Sequence, residues 1–271
     1  MQPEIMEYYQ RGGETTRLTA GDGRLEFLRT WDVLQRVLPP APAAVLDVGG
    51  ATGAYAGPLA EAGYRVHLVD PVPEHVEQAG ALPGVSAELG DARRLRQADA
   101  SHDAVLLFGP LYHLVERADR IAAWREAARV VRPGGVVVGA TITRFASLHD
   151  GFLKKVDTHP RFTELVRADL ATGHHQVPEG TERWFTTAYF HHPDELPGEV
   201  RDGGLTLDRL VTVESVLWLV AHLDEILADD ARTRVLLDLL REVEDEPTLL
   251  GAGSHLLVIA HRPAGSATSS R

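Results

Sequence analysis

The sequence contains no cysteine among its 271 residues, which removes disulfides, thiolate zinc sites and cysteine nucleophiles from consideration. It has no apolar stretch long enough to span a bilayer. Residues 1–10 carry acids and no apolar run, so no secretory signal is expected. A basic excess is missing as well: 27 Lys and Arg stand against 39 Asp and Glu, a formal net charge of −12 with a pI near 5.5. Nucleic-acid binders usually present a basic face, so neither nucleic acid nor membrane is expected as a partner. Arg93, Arg94 and Arg96 lie close together, and a solvated face accounts for them. The expectation is a soluble, cytoplasmic chain.

What is there is an ordinary globular composition, 44% hydrophobic and 24% charged, with ample material for a core. The length suits one large domain or a core with a cap. No internal repeat is visible. Residues 1–42 read as helical, with Leu25, Leu28, Trp31, Leu34 and Leu38 at helical spacing before Pro39-Pro40 stops the run. Residues 43–143 alternate strands at 44–48, 65–69, 85–89, 103–108 and 136–140 with helices near 54–62, 74–79 and along the face Ile121, Trp124, Ala128, Val131. Such alternation predicts a doubly wound, mostly parallel α/β sheet covered on both faces. Residues 144–204 break the rhythm, are rich in His, aromatics and Pro, and read as an inserted lid over the carboxyl edge of the sheet. Residues 205–262 return to the core, with strands at 205–213 and 254–261 and a helical stretch at 217–243 interrupted near Asp229-Asp230. Residues 263–271 read as a frayed tail. Nothing in the sequence sets the oligomeric state.

The strongest local signal is Val45-Leu46-Asp47-Val48-Gly49-Gly50-Ala51-Thr52-Gly53, a strand running into a glycine turn and then a helix. Gly49 and Gly53 lack side chains and so permit close backbone approach by a ligand, while the helix that follows offers unpaired N–H groups. Asp70 ends the second strand, where an acid in a doubly wound sheet accepts hydrogen bonds from ribose hydroxyls. A plain strand-end acid is the alternative. A dinucleotide loop needs G-x-G-x-x-G for a pyrophosphate, and Ala51 and Ala54 stand at two of those positions, a poor match.

These residues resemble the class I S-adenosylmethionine (SAM)-dependent methyltransferases. The first motif of that family, an acid followed by G-x-G-x-G, reads here as Asp47, Gly49, Ala51, Gly53, with alanine at the middle glycine. The resemblance continues in register. Asp70 matches the ribose-binding acid, Gly90-Asp91-Ala92 the adenine-reading segment, the stretch 108–114 the fourth-strand exit beside the transferred methyl, and Arg132-Pro133-Gly134-Gly135 the turn before the fifth strand. It covers roughly residues 43–143 and implies a Rossmann-like seven-stranded sheet whose last strand is antiparallel. It also implies SAM as cofactor, with contacts from Asp47, Gly49, Gly50, Gly53, Asp70, Pro71, Asp91, Ala92, Phe108 and Gly109. Asp47 could also simply cap the loop, and Asp91 could be a surface turn residue. The phrase from Leu25 to Val76 is similar to actinobacterial small-molecule enzymes of natural-product pathways, some of which methylate C3 of an indole.

Methyl transfer is an in-line displacement whose main demand is alignment, and no metal is required. His113, after the fourth strand, is the candidate base or acceptor-orienting group, since an imidazole with an ordinary pKa near ~6.5 suits proton transfer; a packed loop histidine is the equal alternative. At the N-terminus, Tyr9 could close over a sulfonium by cation–π attraction and Arg17 could pair with a methionyl carboxylate, or the terminus could stay clear. Tyr8 at the N-terminus and, in the lid, His174, Trp184, Tyr189 and His191 are candidates for the wall of an acceptor pocket, against the plainer reading that the lid residues form lid core. Adjacent histidine pairs do not chelate, so no metal is expected. Two other functions compete: a SAM-binding sensor without catalysis, and a nicotinamide-dependent oxidoreductase, which lacks its loop and a Tyr-x-x-x-Lys pair.

Overall fold

Strand and helix alternate through the first half of the chain because short apolar runs ending in glycine or acid give way to stretches with helical spacing. The computed structural model describes residues 3–10, 12, 14–177 and 184–264, so the tail from residue 265 lies outside the described residues. Three helices come first, α1 (Pro3–Gln10), α2 (Glu14–Arg17) and α3 (Gly21–Val37). Leu38, ahead of Pro39, is held extended (φ −72°, ψ 146°) and ends α3. The core then runs β1 (Ala44–Val48), α4 (Ala56–Glu61), β2 (Arg65–Asp70), α5 (Pro73–Gly80), β3 (Val85–Leu89), β4 (His102–Leu107), α6 (Pro110–His113), α7 (Arg117–Val130) and β5 (Val131–Ile142). The buried face of α7 includes Ile121, Trp124, Ala127 and Val130. Ile121 and Trp124 stand as expected and the last two positions shift by one, because Val131 already opens β5.

The stretch 144–204 holds α8 (Ala146–Leu153), α9 (Phe162–Thr172), a short ribbon of β6 (His174–His175) and β7 (Ala188–Tyr189), and α10 (Leu196–Asp202). Gly173 ends α9 in the left-handed region at φ 75°. The chain finishes with β8 (Thr206–Thr212), α11 (Leu223–Leu227), α12 (Asp230–Val243) and β9 (His255–His261). The interruption expected near Asp229 is real: its carboxylate accepts the N–H groups of Ala231 and Arg232 and starts α12.

The sheet order is β3-β2-β1-β4-β5-β9-β8, parallel from β3 to β5 and antiparallel at β9. This is the seven-stranded, mostly parallel, Rossmann-like arrangement. Alternate side chains feed two cores. Leu46, Val105, Val137 and Val258 pack with Trp124 and, from α10, Leu196 and Val200. Val45, Leu106, Val138 and Ile259 pack under α3 and α4 with Val33, Leu34 and Leu59. Besides its apolar stripe, α3 buries Arg29, which donates to Asp32 and to Glu244 beyond α12, where Arg36 joins it. Apolar spacing carries no sign of this ion network. Among the described residues no helix is long and apolar enough to cross a membrane.

Candidate active site

Parallel strands bring their carboxyl ends to one edge, and there the β1, β2 and β4 exits open into a cleft of about 1270 Å³ including its mouth. The β1 exit turns sharply: Gly49, Ala51 and Gly53 all have positive φ, at 77°, 49° and 89°. At Gly49 a Cβ would stand 2.6 Å from Pro110 Cδ and 2.8 Å from the Phe108 carbonyl, so glycine lets this loop close on the β4 exit. Gly53 does not line the cleft; a Cβ there would meet Leu82 at 2.6 Å. Gly49 thus serves this packing and also lines the cleft, whereas Gly53 serves packing where the sequence suggested ligand approach. The surface offered to a ligand is Gly49, Gly50, Ala51 and Thr52.

Asp47 lies beneath that loop, fully buried, with neither carboxylate oxygen hydrogen-bonded. Burial, and then the nearby charge of Asp70, push its pKa up to about 7. Asp70 is the organiser. Its Oδ2 accepts the Ala51 N–H at 3.0 Å, its Oδ1 accepts the Val72 N–H at 2.9 Å, and His75 Nδ1 lies 3.2 Å from Oδ1. Three partners leave at least one of roughly four lone-pair sites for a ligand. Asp70 and Pro71 both line the cleft.

Across the opening, Asp91 and Ala92 line the cleft, and the fork of Arg93 holds Asp91 Oδ2 at 2.6 Å. That hydrogen bond keeps the Asp91 carboxyl below its usual pKa. A Cβ on Gly90 would stand 2.5 Å from Val69 Cγ1. Small residues at 49, 50 and 90, an acid on each side and an unpaired buried carboxylate below fit an adenosyl group joined to a cationic sulfur.

Phe108 and Gly109 complete the cleft at the β4 exit. Gly109 adopts φ 131°, open to glycine, and lets α6 turn His113 inward. Burial pushes the His113 pKa down to about 3, opposed only by the Thr187 backbone. The imidazole is therefore neutral at physiological pH. Tyr9 of α1 reaches over the cleft, and its Oη is 2.5 Å from His113 Nε2. Arg17 also lines the cleft, where its guanidinium donates to Glu26 at 2.6 and 3.1 Å.

The sequence reading missed the far wall. Glu26 and Thr30 of α3, Tyr55 and His255 of β9 face the cleft there. His255 Nδ1 is 2.5 Å from Glu214 Oε1. Partial burial works against its charge, but Glu26 and Glu214 overcome it and raise the His255 pKa to about 9. One ligating atom from each of Glu26, Glu214 and His255 lies within 4.8 Å of the others, a spacing a metal would accept. The protonated ring of His255 and the Arg17 guanidinium already balance these carboxylates. No local pattern marks this group, because its members come together only when α3 crosses the β8–β9 edge.

The acceptor-pocket candidates, Tyr8 of α1 and four lid residues, are placed elsewhere. Tyr8, His174, Trp184, Tyr189 and His191 do not line the cleft among the described residues. Trp184 packs on His159 at 4.9 Å. Tyr189 donates to Glu195 at 3.1 Å, with Arg120 3.7 Å above its ring. His191 is fully buried 3.4 Å from Glu199, and His174 is exposed against Tyr189. These four meet lid or core neighbours because β6, β7 and α10 fold back on one another. Tyr8 stands edge-on to Tyr9 at 5.2 Å and to Phe185 at 5.7 Å.

Fold and cleft together define a Rossmann-like α/β protein with a cleft at the β1–β2 crevice and β9 antiparallel in its sheet. Residues 45–135 match the methyltransferase domain family. An uncharacterised methyltransferase of Mycobacterium tuberculosis is 41% identical over 105 residues, 38% of this chain and 42% of that one. The chain therefore spans under half the length of these mycobacterial relatives. A ubiquinone biosynthesis O-methyltransferase of Methylobacterium nodulans is 30% identical over 179 residues, 64% of each chain. The structure of a SAM-dependent methyltransferase from Thermotoga maritima shares the fold with a TM-score of 0.59 at 19% identity, covering 95% of this chain and 98% of that one.

Proposed function

We propose that this chain transfers the methyl group of SAM to a small aromatic acceptor at carbon or nitrogen, with indole C3 as the specific candidate. The observation that carries the reading is a single cleft that joins the Asp70-anchored loop to the Tyr9–His113 pair. SAM brings an electrophilic methyl on a positively charged sulfur, so the chain's work is alignment and exclusion of water. Asp70 holds the ribose hydroxyls, and Asp91 and the Ala92 N–H read the adenine. Arg17 takes the methionyl carboxylate, exchanging its hold on Glu26. The Tyr9 ring provides a face for the sulfonium.

His113 stands at the β4 exit with a pKa near 3. A group so reluctant to hold a proton is a weak base, since transfer is most effective near the operating pH. Its part is to fix Tyr9. The rings of Tyr112 and Phe185 beside it favour a flat acceptor. Calorimetry with S-adenosylhomocysteine, then incubation with methyl-labelled SAM and indole-bearing metabolites, tests the proposal. Absence of binding sinks it, and binding without transfer to any acceptor turns it into a sensor.

A further inference from the structure

The far wall of the cleft carries an ion cluster of which the contacts proposed above use only Arg17. Arg17 of α2, Glu26 of α3 and His255 of β9 line the cleft; Glu214, just after β8, does not. Arg17 donates to both oxygens of Glu26, at 2.6 and 3.1 Å. His255 holds both oxygens of Glu214, through Nδ1 at 2.5 Å and its backbone N–H at 3.1 Å, while the same Nδ1 lies 3.9 Å from Glu26. The Glu214 side chain is 3% exposed and that of Glu26 13%, so Glu26 is the acid the cleft reaches. Burial works against its charge, but Arg17 and then His255 outweigh burial and hold the Glu26 carboxyl below its usual pKa. Two carboxylates thus face two cations, and the wall is formally neutral.

That neutrality selects among ligands. An α-amino-acid end is a zwitterion, a carboxylate and an ammonium on one carbon. When Arg17 turns its fork to that carboxylate, Glu26 gives up its closest cation while still partly buried, and a charge left there without a partner is costly. The ammonium that arrives with the carboxylate replaces the guanidinium, and the wall stays neutral. A plain carboxylate brings no such replacement. It would strand Glu26 beside His255, whose ring is committed to Glu214.

Resting on the methyltransfer reading, we propose that Glu26 binds the α-ammonium of the methionyl end of SAM, so that Arg17 and Glu26, paired with each other here, part to grip the two charges of one zwitterion. An ammonium donates three N–H groups, and the Glu26 oxygens released by Arg17 accept from it. His255, tied to Glu214, is the positioning residue: its charge keeps Glu26 ionised during the exchange. The chain then reads the amino-acid end as a pair of charges, where Arg17 alone would read only a carboxylate.

Calorimetry on the full chain with three probes tests this: S-adenosylhomocysteine, its analogue with hydrogen in place of the amine, and 5′-methylthioadenosine, which lacks the amino-acid end. The wild-type chain should bind the deaminated analogue at least about 10-fold more weakly than S-adenosylhomocysteine, the low end for a lost charge-assisted hydrogen bond. Glu26→Gln should weaken S-adenosylhomocysteine by a similar factor and bring the two ligands within about threefold of each other, because side chain and amine form a cycle that isolates their contact. Methylthioadenosine should stay within about twofold of its wild-type affinity, since it has no charge for Glu26 to meet. Should that variant fold poorly, Glu26→Asp keeps the charge and should retain most of the preference for the amine. Equal wild-type affinity for S-adenosylhomocysteine and the deaminated analogue overturns the assignment. So does a Glu26→Gln chain that still discriminates fully, or that binds both ligands more tightly, as an acid that only parks Arg17 requires. Each of these leaves the methyltransfer reading standing. A wild-type chain that binds none of the three probes overturns both.

Discussion

The backbone N–H of Ala51 donates to the side chain of Asp70 across 3.0 Å, tying the turn after β1 to the end of β2. The acid expected to grip a ribose therefore also sets the loop that faces the nucleoside. Asp70→Ala should lose both functions. Hydrogen bonds to a charged acceptor contribute about 1.5–3 kcal/mol each, so binding of S-adenosylhomocysteine should weaken by roughly 10- to 100-fold in calorimetry.

Ala51 itself stands at φ 49°, a region that strains a residue with a Cβ. Ala51→Gly should relieve about 1–2 kcal/mol of strain and return about 0.4–1 kcal/mol as unfolded-state entropy. The net expectation is a rise of a few degrees at most in thermal midpoint, read by calorimetric melting.

Asp47 is buried without partners and has a pKa near 7, above its ordinary 3.8. Between those values the unfolded chain releases the proton and the folded chain keeps it, so folding loses stability as pH rises to about 7 and levels off above. Asp47→Asn should melt higher than wild type at pH 8, with the gap closing toward pH 4. Melting curves across that range decide it; a gap that does not change with pH would remove the buried charge as the cause.

His113 and His255 are shifted in opposite directions. With a folded pKa near 3, His113 contributes stability fully above its unfolded value near 6.5, and this is lost as pH falls toward 3. With a folded pKa near 9, His255 contributes fully below 6.5, and this is lost as pH rises through 9. His113→Gln should flatten the acid side of a stability–pH curve and His255→Gln the alkaline side. Urea midpoints at pH 4.5, 7 and 9 separate the two.

Arg29 is wholly buried between Asp32 and Glu244. Arg29→Met keeps the volume and strands part of two carboxylates, which Arg36, Arg209 and Arg241 only partly offset. The expected loss is about 3 kcal/mol, the lower end for breaking a buried pair, measured by urea unfolding. A neutral result would mean that the outer arginines carry the network.

Much of the site's nucleoside half was legible because its signals are local. A strand that ends in Asp47-Val48-Gly49 and another that ends in Asp70 each announce themselves within ten residues. The acceptor half was not. Trp184 and Tyr189 sit in an aromatic, histidine-rich stretch that suggests a pocket, yet each meets a neighbour that only folding supplies, His159 for one and Arg120 for the other. Of the adjacent pair His174-His175 the sequence singled out His174, although alternation along β6 exposes His174 and buries His175.

Taken alone, the chain determined its parallel sheet and the glycine turn after β1, because apolar periodicity, glycine and proline act over a few neighbouring residues. Which histidine is charged and which is neutral was decided by tertiary structure alone. Those states depend on desolvation and on carboxylates brought from distant segments, Glu26 and Glu214 to His255 and the aromatic wall to His113. Charge interacts through space with whatever folding puts beside it, and sequence spacing does not record that distance.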